Sequence, residues 1–108
     1  MANIQLAIEV GDDIERILVH LAHLQVEDSM GRIQEILEAI AVLEHNPLIG
    51  HPVKADEKES SMHELVIGRR THGYVALYRY VPELNIVFVL ALRGQREAGY
   101  ARAQEEEE

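Results

Sequence analysis

The sequence predicts an α+β domain in the order β-α-α-β-β-β, with a helical hairpin packed on one face of a mostly antiparallel four-stranded sheet. Three observations lead there. GYVALYRYV and IVFVLALR flank the breaker Pro82-Glu83-Leu84-Asn85, which reads as a hairpin with a four-residue loop. Two stretches, residues 14–24 and 33–43, carry apolar stripes of helical period, and residues 3–10 alternate with period two.

In the first stretch, Ile4, Leu6 and Ile8 alternate with Asn3, Gln5, Ala7 and Glu9, as in a half-buried strand. Gly11-Asp12 ends it. Asp12 and Glu15 have the spacing of a capping box, so a helix is expected to begin there, with Ile14, Ile17, Leu18, Leu21 and Leu24 along one face. The pattern breaks over residues 25–31, where Asp28 or Ser29 can cap a second helix bearing Ile33, Ile36, Leu37, Ile40 and Leu43. So short a turn makes the two helices antiparallel, and their shared apolar side is the first cover for the sheet. Asn46, preceding Pro47, is pushed out of helical conformation and stops the second helix.

Residues 48–61, with the run KADEKESS, read as a solvated loop, and MHELVIG as a third strand. The turn at residues 68–73 then places Arg69 and Arg70 at a strand junction. A symmetric hairpin loop would set Val81 opposite Ile86, Arg79 opposite Phe88, Leu77 opposite Leu90 and Val75 opposite Leu92. The other side would hold Tyr74, Ala76, Tyr78, Tyr80, Val87, Val89, Ala91 and Arg93. Neither side is polar, so the hairpin is expected to be central and covered twice, once by the helices and once by a partner, a homodimer being one form of it. Residues 1–102 form the expected single domain, and residues 103–108 are expected to be a disordered acidic tail.

With no cysteine, the chain has no disulfide framework, thiolate metal site or thiol nucleophile. No basic leader and no membrane-length apolar run appear, so a cytoplasmic protein with no membrane contact is expected. The net charge of −9 is unevenly spread. Residues 1–61 hold twelve acids and four bases, residues 62–102 three acids and six arginines, and the tail four Glu. Arginine without lysine favours bidentate recognition of phosphate or carboxylate, the alternative being structural ion pairs.

His20 and His23, three apart on a helix, lack a third converging ligand, and no metal or cofactor is expected. No phosphate-binding loop, dinucleotide fingerprint or serine elbow is present. The remaining cluster is Arg69, Arg70, His72, Tyr74, Arg79, Arg93, Arg96 and Tyr100. Arg79 is out of place in an apolar run, so its guanidinium must reach a surface, pair with an acid or await an anionic ligand.

HELVIGRRTHGYVALYRY followed by VFVLALRGQREAGY resembles the RelE/ParE superfamily of toxins from type II toxin–antitoxin (plasmid stabilisation) modules, and the resemblance spans residues 3–101. It implies a growth-inhibiting toxin with a cognate antitoxin. RelE-like members cut messenger RNA at the ribosome, whereas ParE-like members poison DNA gyrase. Arg79, Arg93, Arg96 and Tyr100 match the family pattern, with Arg79, Arg93 and Tyr100 catalytic only if the chain is a nuclease. Arg69, Arg70, Arg79, Arg93 and Arg96 are the expected target- or nucleic-acid-binding set, with the guanidiniums of the last two strands and their exit expected at one accessible patch. Val75 stands where RelE-like nucleases tend to have arginine, and Gly94 where close relatives often have histidine. Both differences favour the gyrase-binding reading over the endoribonuclease. A third reading, a non-toxic dimeric binding module, is suggested by the acidic net charge.

Overall fold

A computed structural model describes residues 1–53, 62–68 and 73–97. Strands β1 (Asn3–Leu6), β2 (His51–Pro52), β3 (Met62–Ile67), β4 (Tyr74–Val81) and β5 (Ile86–Gly94) form one sheet in the order β1-β5-β4-β3-β2. All neighbours are antiparallel except β1, which runs parallel to β5. Helices α1 (Ile8–His23) and α2 (Ser29–Ala41), the latter continued by a 3-10 turn at Val42–Glu44, lie between β1 and β2 in the chain.

The sheet has five strands rather than four. The extra one, β2, is two residues of the expected loop whose His51 and Pro52 pair with Glu64 and His63. So short a strand leaves no periodic signal. The loop is held at Gly50, whose N–H donates to the Tyr78 hydroxyl at 2.9 Å. Tyr78 is fully buried and stacks on His63 with ring centroids 5.5 Å apart.

The first strand is shorter than the alternation implies, and α1 begins at Ile8 rather than after Asp12. Val10, Asp13, Ile17 and Leu21 make one buried stripe, whereas Ile8 is 90% exposed. Burying Val10 on helical period outweighs the roughly 1 kcal/mol that Gly11 costs in a first turn. Ala7 is therefore the N-cap, without a side-chain bond, and the Asp12–Glu15 capping box does not form. Asp28 does cap α2, its carboxylate accepting from the Gly31 N–H at 3.1 Å.

α1 ends in a Schellman turn, with the Val26 N–H on the Leu21 carbonyl and the Gln25 N–H on the Ala22 carbonyl. Both helices face one side of the sheet. There, Ile17, Leu21, Ile33, Ile36 and Ile40 join Ile67, Ala76, Tyr78, Val87, Val89 and Leu92 in one core.

The hairpin register is symmetric only near its loop. Val81 faces Ile86 and Arg79 faces Phe88, but a bulge shifts the pairing so that Leu77 faces Ala91, Ala76 faces Leu92 and Val75 faces Arg93. One extra residue on β5 reverses the alternation beyond it. Leu92 therefore enters the core at 0% exposure, and Arg93 leaves the face of Tyr74 and Tyr78 for the opposite one.

Candidate target-binding face and cleft

Directly paired residues share a face, so the register maps the sheet surface away from the helices. Met62, Arg79 and Phe88 form one row across β3, β4 and β5, with Gln5 of β1 beyond Phe88. Glu64, Leu77 and Ala91 form the next, and Val66, Val75 and Arg93 the one after. Val75 and Ala91 are buried yet lie outside the core under the helices.

Two arginines on this face have different surroundings. Arg79 is exposed between Met62 and Phe88, and among the described residues no carboxylate lies within ion-pairing distance of it. Arg93, four residues further along the ladder, reaches across β4 to Glu64 at 3.9 Å. Its Nη1 also donates to the carbonyls of Gly94 at 3.1 Å and Glu97 at 3.3 Å, and lies 3.5 Å from that of Gln95. This guanidinium holds the turn after β5 in place.

The turn is held from the helix side as well. Arg16 of α1 donates to the Leu92 carbonyl at 3.0 Å and pairs with the Glu97 carboxylate, whose other oxygen accepts from the Gly94 N–H at 3.3 Å. Asp13, 3% exposed, accepts from the Leu92 N–H at 2.9 Å.

Beside that turn, a cleft of about 580 Å³ opens between the start of β4, the end of β5 and the α1–α2 connection. Ile17, Leu21, Leu24, Val26 and Tyr74 supply its apolar walls, Arg32 and Arg96 its guanidiniums, and His20 an imidazole. Gly73 and Gly94 line its sheet side. Close approach matters at Gly73, where a Cβ would stand 2.5 Å from the Ile67 carbonyl and against the side-chain amide of Gln95.

The expected site residues thus divide. Arg79 and Arg93 share the outer sheet face, Arg96 belongs to the cleft, and Arg69, Arg70 and Tyr100, with His72, lie outside the described residues. Sequence reasoning missed Arg32, Arg16, Asp13 and Glu97. The unequal charge halves drew attention to the hairpin, while Arg16 and Arg32 belong to the acidic half and gain their roles only through tertiary contact. Among the described residues, no three His, Asp or Glu side chains converge as a metal site, and no helix is long and apolar enough to cross a membrane.

The chain is thus a helical hairpin laid on a mostly antiparallel sheet, with cations on the sheet's other face and at its exit turn. The fold resembles a chain of the chromosomal ParDE toxin–antitoxin system of P. aeruginosa, with a TM-score of 0.70 at 18% identity over 87% of this chain and 96% of that one. It also resembles a chain of the toxin–antitoxin complex RelBE2 of Mycobacterium tuberculosis, with a TM-score of 0.53 at 19% identity over 87% of this chain and 98% of that one. No curated protein matches the sequence. The family model of the ParE toxin of the type II toxin–antitoxin system parDE matches residues 4–99, and the chain belongs to that family.

Proposed function

We propose that this chain is the growth-inhibiting toxin of a type II module, acts in the cytoplasm by binding DNA gyrase, and is neutralised by a cognate antitoxin. The observation that carries the reading is the ParE family match across residues 4–99. The solved relatives named above are toxin–antitoxin systems, which supports the antitoxin partner.

The outer face supports binding over RNA cleavage. Metal-free cleavage of RNA needs a base for the ribose hydroxyl, cations for the phosphorane and an acid for the leaving oxygen. Here the position next to Arg93 is the buried, apolar Val75, and the Arg93 guanidinium is engaged by Glu64 and by backbone carbonyls. Purified chain added to gyrase and relaxed plasmid is expected to block supercoiling. Unimpeded supercoiling at excess chain would reject the target.

One observation favours a ribosome-dependent endoribonuclease as a second reading: the exposed Arg79 beside Phe88 offers a cation and a ring on one open surface. Primer extension on transcripts from a translation extract tests it, with intact transcripts removing it.

A further inference from the structure

We infer that the cleft beside the exit turn is a docking site for the chain's own acidic segment, residues 104–108, so that the free protein carries an internal ligand. The cleft's cations are the first ground. Arg16 and Arg93 are matched by Glu97 and Glu64, whereas among the described residues no carboxylate pairs with Arg32 or Arg96. Glu97, the carboxylate in the cleft wall, is already held by Arg16 and by the Gly94 N–H. His20 adds a further donor on the same rim.

Occupant and route are the second ground. The described chain reaches Glu97 in the wall of this cleft, and the sequence continues with AGYARA and then QEEEE. The six residues of AGYARA span at most about 20 Å, enough to turn back into the cleft. So short a tether sets an effective concentration on the order of millimolar, at which contacts too weak to hold a separate peptide are populated. The four carboxylates of Glu105 to Glu108 supply the charge that two guanidiniums favour, and guanidinium forks donate to carboxylates bidentately. A nucleic-acid backbone fits less well, because the cleft sets only two guanidiniums among apolar walls and the carboxylate of Glu97. An external acidic segment would have to displace the tail before entering.

The sequence contains no cysteine, so Gln104→Cys gives a single attachment point that leaves every Glu in place. With a nitroxide on that cysteine in the full chain, amide signals of Leu21, Leu24, Val26 and Arg32 are expected to lose intensity at low salt, while that of Leu84 in the β4–β5 loop does not. The loss should disappear at high salt and in the Arg32→Gln/Arg96→Gln background, whose unchanged far amide shifts would report an intact fold. Intensity loss spread evenly over the chain, or centred on Arg79, would overturn the inference. So would an unaffected cleft whose amides shift only with added inorganic phosphate, which would make it a free-anion site. The measurement reads a contact within the free chain and is independent of any effect on gyrase.

Discussion

The carboxylate of Asp13 accepts the N–H of Leu92 at 2.9 Å, deep under α1, while Arg16, one turn further along, donates to the carbonyl of the same residue at 3.0 Å. β1 accompanies β5 only as far as Val89, and Ala7 adds a bond to the Val89 carbonyl. Beyond that point, α1 supplies the partners that a longer strand would have supplied. Asp13→Ala leaves a buried N–H without an acceptor and is expected to cost about 2 kcal/mol. Asp12→Ala, one residue earlier and exposed, should stay within about 0.5 kcal/mol. Urea unfolding checks both, Asp13→Ala lowering the midpoint at unchanged slope.

That pair also shows where pattern reading stops. Both helices are legible because each buries a periodic stripe, and the three longer later strands because β-branched and aromatic runs are set off by breakers; both signals are local. Ile8 and Val10 fit alternation and helical period alike, so the boundary between β1 and α1 was decided by what Val10 and Asp13 meet across the core. The bulge is invisible for a related reason. Leu90, Ala91 and Leu92 are all apolar, so no polar residue marks the change of face, and Arg93 is assigned to the wrong side until the register is known. The cleft joins Arg32 to Arg96 across 64 positions of sequence, which no spacing rule connects.

Gln25 sits at φ 56°, in the left-handed conformation that closes α1 and that glycine adopts at no steric cost. Its side chain is exposed. Gln25→Gly is therefore expected to stabilise the chain by up to about 1 kcal/mol, because relief of local strain exceeds the entropy gained by the unfolded chain. A rise in thermal midpoint checks it, and a fall would mean that the Gln25 side chain contributes contacts of its own.

Tyr78 ties β4 to the segment before β2 and is expected to give folding a high-pH limit. Burial raises its phenol above the ordinary 10.0, more than the bond from the Gly50 N–H lowers it. The unfolded chain releases this proton from about pH 10, while the folded chain retains it, so its contribution to stability is constant below that pH and falls as pH rises towards the folded value. Comparing urea midpoints at about pH 9 and about pH 11 should show a larger drop for the natural chain than for Tyr78→Phe. The other tyrosines contribute alike to both. Gly50→Ala should destabilise at every pH, because the new Cβ would stand 2.7 Å from the Glu64 carbonyl and 2.8 Å from the Tyr78 hydroxyl.

Arg79 and Arg93 give the sharpest separation between folding and function. Arg93 bridges Glu64 and the exit turn, so Arg93→Ala removes several bonds to a part-buried cation and leaves carbonyls without donors. A loss of about 1 to 3 kcal/mol is expected, with the exit turn loosened. Arg79 touches no acid among the described residues, so Arg79→Ala should change stability by less than about 0.5 kcal/mol. Under the proposed gyrase-binding function, Arg79→Ala should nonetheless weaken inhibition of supercoiling, by about tenfold if a contact worth about 1.4 kcal/mol is lost. Arg79→Lys should restore only part of it, since an ammonium keeps the charge without the planar fork. Equal inhibition by the natural chain and Arg79→Ala would move the target contact off the sheet and leave the cleft and exit turn as the surface to mutate next.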